Sequence, residues 1–284
     1  MKLVFLGSPP AAAVALRALH DAGHEIGLVV TQPAKRRGRG GGTTPTAVGR
    51  AADELGLPVT SDIAEVKRAG AELGVVVAYG RIIKPDVLAV VPLVNVHFSL
   101  LPRWREAAPV ERAILAGDEV TGVCLMQVEE GLDTGGVYRR REVTVRPDET
   151  AAELTGRLAD LGADLLVSAL SGGLGAPEPQ QGEPTYAKKI EPDELRLDWH
   201  RPAEELLRVV RLGRAWTTVG GRRLLVLAAA GAEAVPGDPG SLSSDVVATG
   251  SGGLRLLRVQ PEGRRPMTAA EWRRGTASPV VLGS

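Results

Sequence analysis

Leu93-Val94-Asn95-Val96-His97-Phe98-Ser99-Leu100-Leu101-Pro102-Arg103-Trp104-Arg105 is the stretch on which the fold turns. Its first six residues are apolar except for Asn95 and His97, the pattern of a strand that runs through a core and carries polar groups toward one end. Side chains alternate between the faces of an extended chain, so Asn95 and His97 project from the same side, two strand steps apart. Pro102 cannot donate to a ladder, so Ser99-Leu100-Leu101-Pro102 ends the strand and turns the chain into a loop suited to a ligand wall. Further along, Gly131-Leu132-Asp133-Thr134-Gly135 offers a carboxylate flanked by glycines, in turn-forming chemistry.

Upstream of this stretch the chain alternates between strand and helix patterns. Strands are expected at residues 3–6, 26–31 and 59–60, with helices at 11–22 and 46–55 between them. Ser8 and Pro9 read as cap and first-turn proline of the first helix, and Gly23 as its terminator. Val75-Val76-Val77-Ala78 is an unbroken apolar run of the kind a central parallel strand needs, and it leads into a short helix near Pro85. We assign it as the fourth strand of the sheet. The first third is therefore a doubly wound α/β domain. Gly7 stands where a dinucleotide fold would carry its first phosphate-binding glycine, but the other glycines of that fingerprint are missing, which argues against a nicotinamide oxidoreductase.

Downstream the spacing predicts a helix over 109–116, a hairpin-like strand pair at 121–128 and 136–145, and an amphipathic helix over 151–170. Residues 171–184 are rich in Gly, Pro and Gln without a period and read as a linker or exposed loop. After a helix near 204–212, strand-like runs at 224–228, 240–242, 246–248 and 254–259 alternate with glycine turns. A small β-barrel of OB-fold type would close such strands without bare edges. The expected division is a Rossmann-like catalytic domain at 1–182, a linker at 183–199 and a β-barrel domain at 200–284.

The chain has 284 residues, 44% of them hydrophobic, which is enough for two globular domains. Its 34 basic and 34 acidic residues cancel, yet from His200 onward 12 Arg stand against 7 Asp and Glu, a local balance of +5. The carboxy-terminal part is the basic one, a modest footprint for a polyanionic partner. A single cysteine, Cys124, excludes an internal disulfide and lies in an apolar run as a buried thiol would. None of the histidines, His20, His24, His97 and His200, has metal-motif spacing, so no metal is expected. The apolar start at Met1 breaks at Gly7-Ser8-Pro9-Pro10, too short for a signal peptide, and no stretch is long enough to span a bilayer. A soluble, cytoplasmic protein without membrane association is expected.

With Asn95, His97, Ser99-Leu100-Leu101-Pro102, Arg103-Trp104-Arg105, Ala107-Ala108-Pro109 and Gly131-Leu132-Asp133-Thr134-Gly135 in place, the chain resembles the methionyl-tRNA formyltransferase family over nearly its whole length. Flanking matches include Thr31-Gln32-Pro33, Gly38-Arg39-Gly40, Tyr186-Ala187-Lys188-Lys189-Ile190 and Asp198-Trp199. The Asn, His, Ser-Leu-Leu-Pro and distant Asp set is common to folate-dependent formyltransferases and specifies the chemistry. The Arg-Trp-Arg extension, the linker match and the basic second domain narrow the acceptor to aminoacyl-tRNA.

The resemblance implies that 10-formyltetrahydrofolate donates a formyl group to the amine of initiator methionyl-tRNA. It implies catalytic roles for Asn95, His97 and Asp133, and folate contacts for Ser99, Leu100, Leu101 and Pro102. It places Arg36, Arg37 and Arg39 of a basic glycine-rich loop, with Lys188 and Lys189, against tRNA. A monomer is expected. The chemistry agrees: formyl transfer develops an oxyanion that N–H donors at Asn95 and His97 stabilise, while a carboxylate and an imidazole in contact relay the amine proton to the leaving nitrogen. A nucleotide-sugar amine formyltransferase and a catalytically silent RNA-binding relative are the competing readings. One departure stands out, because Glu106 follows Arg-Trp-Arg where the family has glycine.

Overall fold

The computed structural model describes residues 1–36, 43–276 and 280–284, and these divide into two compact units. The first comprises Met1–Val110, Val120–Thr144 and Thr155–Lys188; the second comprises Glu111–Glu119, Val145–Leu154 and Lys189–Ser284.

The expected alternation is present. In chain order come β1 (Lys2–Gly7), α1 (Pro10–Asp21), β2 (Glu25–Val30), the short β3 (Lys35–Arg36) and β4 (Thr43–Thr44), α2 (Ala47–Glu54), β5 (Val59–Thr60), β6 (Leu73–Val77), α3 (Pro85–Leu88) and β7 (Leu93–His97). Then follow α4 (Pro109–Ala116), β8 (Val120–Gln127), β9 (Val137–Thr144) and α5 (Ala151–Gly172). The main sheet has the order β5-β2-β1-β6-β7-β8-β9, parallel through β7 and antiparallel beyond it. β6 is fourth in that sheet, as its unbroken apolar run predicted, and it is fully buried. Residues such as Val4, Leu6, Val30 and Leu93 form its core, each full burial contributing about 2 kcal/mol.

The first helix begins differently from expectation. Its cap is Pro9, with no side-chain cap bond, and its first residue is Pro10. The Ser8 hydroxyl serves instead as acceptor for the Gln32 N–H at 3.2 Å, tying the end of β1 to the chain leaving β2. Gly23 does end the helix, with φ 80° and its N–H on the His20 carbonyl.

α5 passes close over the strand that carries Asn95 and His97. A side chain at Gly162 would place its Cβ 2.7 Å from Val96 Cγ1 and 3.3 Å from Val123 Cγ1, so glycine permits the approach.

The second unit holds an antiparallel sheet of order β10-β11-β14-β13-β12, with β15 on β14. These strands are β10 (Trp216–Val219), β11 (Arg222–Ala232), β12 (Leu242–Ser243), β13 (Val246–Ala248), β14 (Gly253–Pro261) and β15 (Met267–Thr268). Two helices, α6 (Ala203–Arg211) and α7 (Ala269–Arg274), join them. α6 buries Ala203, Leu206, Val209 and Val210 along one stripe, and Thr268 with Glu271 forms a capping box that starts α7. Trp199, Val226, Leu254, Leu256 and Trp272 share one core. The last residues run along both edges of the sheet: Leu242 N donates to Val280 O at 3.1 Å on one side, and Gly283 N donates to Thr218 O at 2.8 Å on the other. Among the described residues no helix is long and apolar enough to cross a membrane.

Candidate active site

β7 ends at the carboxyl edge of the parallel strands, where open α/β sheets present ligand sites. Asn95 and His97 leave this strand on one face, and both approach the same oxygen. Asn95 Nδ2 lies 3.4 Å from Asp133 Oδ1, and His97 Nδ1 lies 3.7 Å from it. The expected convergence of amide, imidazole and carboxylate is therefore present, with the His97 side chain 6% exposed and that of Asp133 17%.

The imidazole has a defined orientation. His97 Nε2 is 2.8 Å from the carbonyl oxygen of Trp104, and a carbonyl can only accept, so Nε2 carries the hydrogen. In the neutral ring the Nδ1 lone pair is consequently the one that faces Asp133. Ser99, fully buried, donates its hydroxyl to the Arg103 carbonyl at 2.6 Å and so braces the loop that brings the Trp104 carbonyl to the ring.

Asp133 is held from its other oxygen, because the main-chain N–H of Glu106 donates to Oδ2 at 2.8 Å. Non-glycine residues with positive φ cluster here: Trp104 at 61°, Glu106 at 87° and Asp133 at 53°. Left-handed backbone at residues bearing a Cβ is costly, and such strain collects where a site demands a particular direction from the chain. Glu106, where the resemblance implies a glycine, adopts a backbone that glycine would favour.

A segment outside the predicted site proves to be part of it. The loop expected at 171–184 begins only after α5 ends at Gly172, and residues 178–187 form no regular element but are laced to both site loops. Glu178 exchanges hydrogen bonds with Val137, at 2.7 and 2.9 Å. Thr185 O accepts from Arg105 N at 2.9 Å, Thr185 Oγ1 accepts from Trp104 N at 2.9 Å, and Ala187 N donates to Arg105 O at 2.6 Å. Gln180 donates to the carbonyls of Asp133 and Gly135, both at 2.8 Å, and accepts from Arg105 Nε and Nη2 at 3.1 and 2.7 Å. Beside it a cavity of about 320 Å³ is lined by Arg105, Gln127, Glu129, Thr134 and Gln180, among others. Sequence reasoning missed Gln180 because a lone glutamine among prolines and glycines carries no periodic signal.

The remaining predicted residues fall into different places. Of Ser99 to Pro102, the side chains of Ser99 and Leu101 are buried, Leu101 beside Cys124, Met126 and Val137, whereas Leu100 and Pro102 are partly exposed. Lys188 and Lys189 are exposed at the end of the laced segment. Arg36 ends the short strand β3, registered with Thr43, while Arg37 and Arg39 lie outside the described residues. Cys124 stands opposite His97 in the antiparallel pair, and burial pushes its thiol above the ordinary range, which keeps it protonated and unreactive. Among the described residues no group of three or more His, Cys, Asp or Glu is placed to hold a metal.

Residues 1–170 match the model of the formyl transferase family, and residues 189–277 match that of the formyl transferase C-terminal domain. A methionyl-tRNA formyltransferase of Paracoccus denitrificans (strain Pd 1222) is 44% identical over 298 residues, covering 99% of this chain and all of that one. Among solved structures, HypX from Aquifex aeolicus in complex with tetrahydrofolic acid superposes with a TM-score of 0.70 at 18% identity, over 96% of this chain but only 46% of that one. Methionyl-tRNA formyltransferase from Clostridium thermocellum superposes with a TM-score of 0.64 at 19% identity, over 81% of this chain and 93% of that one.

Proposed function

The chain belongs to the formyltransferase family, and from that premise we propose that it transfers the formyl group of 10-formyltetrahydrofolate to the amine of methionyl-tRNA. The observation that carries this reading is the meeting of Asn95, His97 and Asp133 on one carboxylate oxygen, in a chain matched end to end by a relative of that name.

The residues divide the work by their hydrogen-bonding capacity. One hydrogen of Asn95 Nδ2 points toward Asp133 and the other is available for a formyl oxygen as negative charge develops there. A well-aimed donor of this kind is worth about 3 kcal/mol to the transition state. His97 offers Nδ1 as the base that takes the proton from the attacking ammonium, since Nε2–H is committed to Trp104. Asp133, 3.7 Å away, stabilises the imidazolium so formed, Nδ1–H then returns its proton to the leaving nitrogen, and the second proton of the former ammonium passes to solvent as the formamide forms. A formyl group already activated on nitrogen calls for no Lewis acid, and these donors suffice.

The donor set is suited to a folate at this edge. Leu100 and Pro102 contribute partly exposed apolar surface beside the polar triad. We assign catalysis to residues 1–182 and read 183–199 as a connection and 200–284 as the tRNA-supporting domain. That domain is read as an OB-like barrel, supported by the hydrogen bonds of residues 280–284 to strands at both sheet edges. Arg36, Arg37 and Arg39, with Lys188 and Lys189, are assigned to tRNA phosphates, for which guanidinium and ammonium groups are matched donors. Charged tRNA and reduced folate are cytoplasmic solutes, and we place the enzyme there, acting as a monomer.

The test is a formylation assay with the full chain, 10-formyltetrahydrofolate and methionyl-tRNA, read by mass spectrometry of the released amino acid. A formyl-sized mass gain that requires the donor and disappears in His97→Ala is expected. Formylation of a nucleotide-linked amino sugar but not of methionyl-tRNA would overturn the acceptor, and no formylation of either would overturn the activity. Arg39→Ala should raise KM for tRNA while leaving folate binding intact, and wild-type kinetics would remove the loop from the tRNA site.

A further inference from the structure

Gln180 joins the two loops between which Asp133 is suspended. Its amide hydrogens go to the carbonyls of Asp133 and Gly135, at 2.8 Å each, and its oxygen takes Arg105 Nε and Nη2 at 3.1 and 2.7 Å. Both hydrogens are thus used and the oxygen is doubly engaged. The orientation is unambiguous, because a flipped amide would set donors against a guanidinium and an acceptor against two carbonyls. Fixing those carbonyls fixes the peptide planes around Asp133, which sits at φ 53°, and therefore the direction of its side chain.

The other arm matters equally. Arg105 lies between Trp104, whose carbonyl receives His97 Nε2, and Glu106, whose N–H holds Asp133 Oδ2. One side chain therefore spans from the carboxylate's own loop to the loop that orients His97 and holds Asp133 Oδ2. We infer that Gln180 is a positioning residue for the Asp133–His97 pair, holding the carboxylate within reach of Nδ1 without itself touching the reacting atoms. This deepens the formyl-transfer reading and rests on it.

Gln180→Glu separates positioning from general support of the fold. A carboxylate keeps, as an ion pair, the bond to Arg105, but it presents oxygen to the carbonyls of Asp133 and Gly135 and lets that loop go. The expected result is a kcat lowered by about 10²-fold, the scale on which a misplacement near 1 Å acts, with KM for folate and tRNA close to wild type and a thermal midpoint little changed. The pH dependence of kcat should also change shape, because the carboxylate–imidazole contact it reports is no longer held. Gln180→Ala, which introduces no repulsion, should move kcat and the pH profile in the same direction and provides the reading should the Glu variant fail to fold. Wild-type kcat and an unaltered pH profile in a folded variant would overturn the inference. So would a loss of activity that tracks the loss of folded protein with the pH profile unchanged. An inactive wild type is a separate result, and it would defeat the formyl-transfer reading itself.

Discussion

Replacing Glu106 with glycine tests how the site holds its carboxylate. Glu106 lies at φ 87°, beyond the left-handed basin that other residues enter at modest cost, and its main-chain N–H donates to Asp133 Oδ2 at 2.8 Å. A Cβ kept in such backbone costs about 1–3 kcal/mol, and glycine avoids it. Glycine also gives the unfolded chain more freedom, which subtracts about 0.4–1 kcal/mol. The balance is a gain of about 1 kcal/mol in Glu106→Gly. For a chain of this length that gain is a rise of about 2 °C in Tm. Glycine retains the N–H, so Asp133 keeps its donor and kcat should be preserved. Glu106→Ala is the control, since it loses the same carboxylate but keeps the strained backbone and should gain nothing. Urea denaturation of the three proteins, with formylation rates measured alongside, decides the matter. A glycine variant less stable than wild type, or an alanine variant stabilised equally, would show that backbone strain is not what glycine relieves.

Other outcomes follow from the same geometry. Asn95→Ala should lower kcat by about 10²–10³-fold with little change in KM, and a kcat close to wild type would remove Asn95 from the reaction. Gly135→Ala should destabilise the protein by about 1–3 kcal/mol, the usual cost of overpacking, and impair catalysis. Its Cβ would lie 2.1 Å from the Gln127 carbonyl oxygen, in a turn held by the 2.8 Å bond from Gln127 N to Gly136 O, and an unaltered Tm would refute this. Burial raises the Cys124 thiol above its ordinary value of 9.0, so its contribution to stability is fully present below that pH and is lost as pH rises through the higher folded value. As the chain has one cysteine, alkylation reads this directly: the native protein should resist iodoacetamide near neutral pH and the unfolded chain should take up one equivalent, whereas rapid labelling of native protein would contradict the burial.

What the sequence disclosed depended on whether a residue acts through its side chain or its main chain. The alternation Asn95-Val96-His97 and the closing proline are side-chain signals, and β7 with its two polar groups lies where they predict. The apolar run at Val75 and the stripe of α6 were legible for the same reason. Short elements were not: β10, β15 and α7 lack enough residues to establish a period; β10 is fixed by antiparallel pairing with β11, β15 by pairing with β14, and α7 starts at the Thr268–Glu271 capping box. The bonds of Gln180 to Asp133 and Arg105 close loops of 47 and 75 residues, and no local pattern announces contacts of that range.

The same distinction explains how the site can carry Glu106 where the resemblance implies a glycine. Asp133 takes from that position a main-chain N–H, and His97 takes from Trp104 a main-chain carbonyl; every residue but proline supplies the first and every residue the second. What the position demands is a backbone angle, and a side chain changes only the cost of holding it. That cost can be met by bonds to the neighbouring segment, from Trp104 N and Arg105 N to Thr185, from the Arg105 guanidinium to Gln180 Oε1 and from Gln180 Nε2 to the Asp133 carbonyl. A side chain at position 106 is therefore compatible with an intact arrangement of Asn95, His97 and Asp133, because the neighbouring segment constrains the chain.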